Sequence, residues 1–220
     1  MEDKCRTDLD ETVKYYDEHA MEFIDSTIHV DVSELYKPFE ERINPGCRIL
    51  DIGCGSGRDS KYFADKGYDV VAIDPSNAMC EQTKKLVKIP VYQMRAEDMR
   101  FSNEFDAVWA CASLLHILQD KQEMVMRRIA TALRECGILY ASWKYGSQDR
   151  VDKGRMFSDF NEKMLCDIVK EIPAFEVTEM WITQDARKER RSQRWLNALI
   201  KKTTCSVLLL FVLLRSLFQL

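Results

Sequence analysis

The sequence predicts an α/β protein in three layers, a mostly parallel sheet with helices on both faces. Three observations carry this. From residue 47 onward, apolar runs of strand length alternate with stretches of helical periodicity, and such alternation builds parallel strands joined by crossover helices. The stretch ILDIGCGSGRD (49–59) sets a buried-strand pattern directly against a glycine-rich turn. Two final strand-like runs, FEVTEMWIT (175–183) and RWLNALI (194–200), are joined by a basic connection that suits an antiparallel pair at the sheet edge.

The elements follow in order. Leu9, Val13, Tyr16, Ala20, Phe23 and Ile24 fall on one face of an N-terminal helix. A short helix is expected after Asp31, with Glu34 completing a capping box and Pro38 as a kink. Asn44-Pro45-Gly46 is a turn. CRILDI (47–52) is the first strand, and a helix over 58–66 ends at Gly67. YDVVAI (68–73) is the second strand, followed by a helix capped by Ser76. VYQM (91–94), FDAVWA (105–110) and GILYASW (137–143) are the next three strands. Asp120 and Glu123 form a capping box for a helix that buries Val125, Ile129, Ala132 and Leu133. A last helix carries Met164, Leu165, Ile168 and Val169 and stops before Pro173.

Composition narrows the class. At 220 residues, with 46% hydrophobic and 31% charged, the chain can bury a sizeable core and is not a disordered type. The net charge of −4 argues against a general nucleic-acid-binding surface. Residues 187–202, however, hold seven Lys/Arg and one acid. Eight cysteines without a C-x-x-C, and only three histidines, argue against a zinc site. Cys111, Cys136 and Cys166 lie in apolar runs, where buried free thiols are common. The opening MEDKCRTDLD has no leader pattern, and the expected compartment is a reducing cytoplasm.

In such sheets ligands bind beyond the carboxyl ends of the strands, where strand order reverses. Four signals fall on those loops. After the first strand come Gly53, Gly55 and Gly57, which let bare backbone approach a ligand. The dinucleotide pattern G-x-G-x-x-G would need glycine at Arg58. Asp51 at the strand end repels phosphate and suits a cation. These features favour a nucleoside with a positive centre and no pyrophosphate, and S-adenosylmethionine is such a ligand. Asp74 ends the second strand, 17 residues after Gly57, and can accept hydrogen bonds from ribose hydroxyls. Asp98, in RAEDM, could bind the adenine amino group. ACAS (110–113) could offer backbone carbonyls to the methionine part. The bland alternative for each acid is a solvated cap or turn former.

These motifs, in order LDIGCGSGRD, VVAIDPS, RAEDM, FDAVWACASLLH and GILYASWKYG, resemble those of class I S-adenosylmethionine-dependent methyltransferases. The likeness covers roughly residues 10 to 202. It is greatest to small Rossmann-like bacterial members, the tellurite-resistance-like ones among them. The resemblance implies a Rossmann-like three-layer sandwich with a seven-stranded, mostly parallel sheet whose last strand is antiparallel. It implies a helical lid or cap over 1–46 and an S-adenosylmethionine-binding domain over 47–202. The cofactor contacts it implies are Tyr16, Asp51, Gly53, Cys54, Gly55, Gly57, Arg58, Asp74, Pro75, Ala96, Glu97, Asp98, Ala110 and Cys111. Arg58 is read either as a partner of the methionine carboxylate or as a salt-bridge residue. Tyr16 is read either as part of a closing lid or as a core residue. Glu135-Cys136-Gly137 departs from the Pro-Gly-Gly usual in relatives before the fifth strand.

Methyl transfer from a sulfonium is an in-line displacement in which alignment supplies much of the rate. His116, just beyond the fourth strand, is the one histidine placed to serve as a general base, and its alternative is a packed residue in LLHIL. DNA-type acceptors lack their usual motifs here, so a small-molecule acceptor is the first choice. Trp143, Lys144, Tyr145 and Arg155 are candidates for its pocket. An RNA or protein acceptor reached through 187–202 is the runner-up, against a solvated hairpin turn. Two further rivals are a non-catalytic cofactor-binding module and an NAD-dependent oxidoreductase. Residues 203–220 form a hydrophobic extension with an unbroken apolar run from Val207 to Leu214. A span needs about 20 such residues, so a packed helix or an unselected extension is preferred to membrane contact.

Overall fold

A computed structural model describes residues 2–203, with side chains placed from residue 10. The apolar run 203–220 therefore lies, from residue 204 on, outside the described residues. Seven strands form one sheet: β1 (Arg48–Ile52), β2 (Asp69–Asp74), β3 (Val91–Gln93), β4 (Phe105–Ala110), β5 (Leu133–Lys144), β8 (Phe175–Gln184) and β9 (Arg194–Lys202). Their spatial order is β3-β2-β1-β4-β5-β9-β8. The strands from β3 to β5 pair in parallel, and β9 is antiparallel to both β5 and β8. The chain starts at β1, winds out to β3, then returns to β4 on the other side. The order thus reverses between β1 and β4, and a crevice opens above that junction.

Alternation along the central strands fills two apolar layers. Leu50, Val108 and Leu139 face one side, where they meet α6 (Gln119–Ala132) and α7 (Glu162–Lys170). Ile49, Trp109 and Tyr140 face the other, under Tyr36 and Phe39 of α3 (Ser33–Glu40) and Phe63 of α4 (Arg58–Asp65). Below the crevice, the Trp109 ring stacks on Tyr140 with centroids 4.0 Å apart. Its fully buried indole Nε1–H donates to Asp59 Oδ2 at 2.9 Å, which spares it the cost of an unmade bond.

Several expected details differ. The N-terminal helix breaks at His19 into α1 (Glu2–Glu18) and α2 (Ala20–Thr27). Val32, not Asp31, is the N-cap of α3; the Asp31 carboxylate takes the Ser33 N–H in a local turn instead. Asp120 is not a cap either, since α6 already starts at Gln119. The buried Gln122 amide donates to the Leu114 and Ile117 carbonyls and ties down the turn before this helix. Strand β5 begins four residues before Gly137. Cys136, expected to be buried, is exposed at φ +63°. Ser76 does cap α5 (Asn77–Leu86), its Oγ accepting from Met79 N–H. A hairpin of β6 (Asp149–Asp152) and β7 (Arg155–Ser158) was not legible in the sequence.

No helix among the described residues is long and apolar enough to cross a membrane.

Candidate active site

The crevice holds two connected chambers. The inner one, about 110 Å³, runs along the ends of β1, β2 and β3. The outer one, about 530 Å³, opens towards β5, the β6–β7 hairpin and the loop between β8 and β9. Tyr16, Gly53, Gly55, Ala112 and His116 border both. The outer volume lies within the roughly 300–1,000 Å³ usual for small-molecule sites.

The loop after β1 is shaped by close backbone approach. Gly53 sits at φ +74°, and a Cβ there would come within 2.4 Å of the Ser113 Cβ. Gly57, at φ +80°, serves a different purpose. Its missing Cβ leaves room for Thr83 of α5, 2.9 Å away, so it packs helix on helix and does not border either chamber. Asp74 closes the loop from the next strand. Its Oδ2 accepts the Gly55 N–H and its Oδ1 the Ser76 N–H, both at 2.9 Å. Each oxygen keeps acceptor capacity towards the inner chamber. Burial pushes Asp74 up to about 6, against the pull of those two amides.

Asp51 does not enter the chambers. Ser60 Oγ donates to its Oδ2 at 2.5 Å, and burial, reinforced by the Asp59 charge, pushes it up to about 8. It therefore does not face a ligand in either chamber, as the strand pattern had suggested it would. The physical reason is its direction: it points beneath the loop to α4. Arg58 grips Asp59 with Nε to Oδ1 at 2.6 Å and Nη2 to Oδ2 at 3.0 Å. Burial opposes both charges, but their mutual attraction holds Asp59 low and Arg58 high. Tyr36 and Trp109 complete the Asp59 shell. Arg58 thus makes the salt bridge and also borders the outer chamber.

The remaining predicted positions divide. Pro75, Ala96 and Glu97 border the inner chamber; Cys54 and Cys111 border the outer one. Asp98 is exposed and lies outside both, because the single turn of 3₁₀ helix Ala96–Asp98 directs Glu97 inward instead. Ala110 is buried in the sheet and lines neither chamber. Lys144 and Arg155 line the outer chamber. Trp143 does not, since strand alternation sends it into the core, and Tyr145 reaches Glu162 instead.

His116 lies where the chambers join. A carbonyl only accepts, so the His116 Nδ1–H donates to Met156 O, 2.6 Å away. Burial, with Arg155 and Lys144 nearby, lowers this imidazole to about 4. The neutral ring then offers Nε2 as an acceptor, which Tyr16 OH fills at 2.8 Å. Burial raises the Tyr16 phenol. Tyr16 is therefore a wall of the cleft joined to His116 and not part of the sheet core.

Two further site residues lie in the ACAS segment singled out for its carbonyls, and a third, Asp185, had no sequence signal. Ala112 holds φ +52°, its N–H bonded to Ser142 Oγ, at the point shared by both chambers. Ser113 borders the inner chamber with a buried Oγ that lacks a hydrogen-bond partner. Asp185, from the β8–β9 loop, enters the outer chamber wall gripped by Arg187 at 2.8 and 2.7 Å. No cluster that could hold a metal ion occurs among the described residues.

Residues 49–137 match the family model of a methyltransferase domain. The stretch they cover contains the β1 loop, Asp74 and His116.

The chain carries a class I S-adenosylmethionine-dependent methyltransferase domain.

A putative methyltransferase, YqeM of Bacillus subtilis, is 32% identical over 119 residues, covering 50% of this chain and 48% of that protein. The probable S-adenosyl-L-methionine-dependent methyltransferase TehB of Haemophilus influenzae is 30% identical over 109 residues, 44% of this chain and 36% of that protein. The chain thus spans half or less of the length of these curated relatives. The fold of the methyltransferase domain is shared with 1,6-didemethyltoxoflavin-N1-methyltransferase of Burkholderia thailandensis. That structure has a TM-score of 0.72 at 18% identity and covers 92% of this chain and 90% of its own.

Proposed function

We propose that the protein transfers a methyl group from S-adenosylmethionine to a small-molecule acceptor. The observation that carries this is Asp74, tied to the glycine loop by Gly55 N–H and facing an apolar chamber at the carboxyl ends of β1, β2 and β3, where sheets of this kind take a nucleoside. The residues fit that group. Asp74 would hold the ribose hydroxyls, the walls from Pro75 to Glu97 would take the adenine, and the Gly53–Gly55 backbone would carry the methionine part. The orphaned Ser113 hydroxyl offers a further polar contact. Bound S-adenosylmethionine supplies an electrophilic methyl on a sulfonium, and the protein's task is alignment and exclusion of water.

The acceptor reading rests on the outer chamber, which adjoins the inner one and has the volume usual for a small molecule. The Burkholderia neighbour was crystallised with 1,6-didemethyltoxoflavin and S-adenosylhomocysteine, which supports a small-molecule acceptor. In this reading α1 and α2 form a lid, with Tyr16 closing the cleft and His116 orienting it; a proton from the acceptor would reach Nε2 once the phenol swings aside. Free thiols at all six cysteines with placed side chains suit a reducing compartment such as the cytoplasm.

Titration calorimetry with S-adenosylmethionine, S-adenosylhomocysteine and NAD tests the cofactor. The first two are expected to bind and NAD is not; binding of NAD alone overturns the proposal. Labelled cofactor incubated with a cell extract tests transfer. Label appearing only in RNA or protein would reject the small-molecule acceptor.

A further inference from the structure

Of the cations bordering the outer chamber, Arg190 is exposed to solvent and the four less exposed ones are of two kinds. Arg58 and Arg187 are neutralised by bidentate contacts with Asp59 and Asp185. Lys144, at the end of β5, and Arg155, at the start of β7, meet no carboxylate within ion-pair distance among the described residues. The nearby Asp159 is already taken by Arg150 at 2.9 Å. Both unpaired cations lie on aromatic rings instead. Lys144 Nζ is 3.5 Å from the Phe157 centroid, and the Arg155 guanidinium is 4.6 Å from Tyr15 and 5.2 Å from Phe157.

Ring faces compensate such charges only partly. The shortfall is visible. The Arg155 Nε is buried without a hydrogen-bond partner. Burial and the Arg150 charge lower Lys144 to about 8. A planar donor fork beside a mobile ammonium is the donor set that carboxylates and phosphates select. The pair also stands next to the junction of the chambers. Arg155 precedes Met156, whose carbonyl holds His116, and Phe157 lies 5.0 Å from the His116 ring.

We propose that the methyl acceptor is an organic anion whose carboxylate or phosphate is held by Lys144 and Arg155. This rests on the methyltransferase reading of the cleft, because it assigns the outer chamber to the acceptor. The competing assignment for the same pair is the carboxylate of the cofactor's methionine part.

The test uses the full chain with benzoate, phenyl phosphate and neutral benzamide, titrated with and without S-adenosylhomocysteine and followed by ligand-observed NMR. At least one anion is expected to bind at millimolar concentration while benzamide does not; which anion binds more tightly identifies the group. Lys144→Met and Arg155→Gln are each expected to weaken that binding by about tenfold or more, with S-adenosylhomocysteine affinity kept within about twofold. Lys163→Ala, on the exposed face of α7 and outside both chambers, is the control and keeps both. Equal binding of benzamide, unchanged anion affinity in both variants, or no anion binding would overturn the proposal. Loss of S-adenosylhomocysteine affinity in the two variants would overturn it in favour of the cofactor carboxylate. Failure of the cofactor reading shows separately, as absent S-adenosylhomocysteine binding with the anion contrast intact.

Discussion

The inner and outer chambers are built by different means. The inner one is made from the ends of adjacent parallel strands, so its parts follow one another along the chain. Gly53, Asp74 and Glu97 each sit one loop further on, and strand pairing places them together. The outer one is assembled from segments far apart in sequence. Lys144 comes from the end of β5, Arg155 from the start of β7, and Asp185 from the loop between two antiparallel strands. A chamber made by strand ends is set by the sheet's hydrogen bonds. A chamber made by loops and lid helices can change its lining without disturbing the sheet. Under the proposed function, this division matches a constant cofactor in the first and a particular acceptor in the second.

The largest effect is expected at the inner chamber. Gly53→Val adds atoms where a Cβ already falls 2.4 Å from Ser113, and it places a β-branched residue at positive φ. S-adenosylhomocysteine affinity should fall by about a hundredfold or more by calorimetry. In the milder Gly53→Ala, adding Ser113→Gly should recover part of the loss. No recovery would mean that the clash is not its cause.

Next comes Asp74→Asn. Losing charge-assisted bonds worth about 1.5–3 kcal/mol each should cost roughly ten- to a hundredfold in affinity. Its pH dependence sharpens the point. Asp74 is pushed up to about 6 in the free protein, and ribose hydroxyls need the ionised acceptor. Affinity should therefore be full above that value and fall by up to about tenfold per unit as pH drops below it. The Asn variant should lose that slope. A wild-type affinity flat from pH 5 to 8 would remove Asp74 from the ribose.

At the junction, His116→Ala is expected to lower methyl transfer by about tenfold with cofactor affinity kept. Tyr16→Phe separates two roles. If the pair acts as one unit, both variants and their double share the same loss in single-turnover assays. A larger loss for His116→Ala alone marks the imidazole as the proton acceptor, and unchanged transfer in both sinks either role.

The smallest effect on the cofactor should come from the outer wall. Arg187→Ala strips a buried Asp185 of its bidentate partner and should lower stability by about 1–3 kcal/mol in urea titration. S-adenosylhomocysteine affinity should move less than about twofold. A cofactor effect as large as that of Asp74→Asn would erase the distinction between the chambers.

The strand pattern, the glycine loop and the acid ending β2 were legible in the chain itself, because strand period, φ > 0 and backbone approach are local constraints on residue type. From these followed the sheet and the cofactor class. Side-chain destination was not local. Asp51 and Asp98 read like Asp74, yet one turns under the loop and the other faces solvent, since a carboxylate's direction depends on which helix lies beside it. Likewise Trp143 and Lys144 are neighbours in an apolar-to-polar run, and only the alternation of β5 against its layers sends one to the core and the other to the cleft. The sequence by itself determined the fold and the class of cofactor. Only the tertiary structure decided that Lys144, Arg155, His116 and Asp185 meet around one chamber, because long-range packing, not residue type, brings those distant segments together.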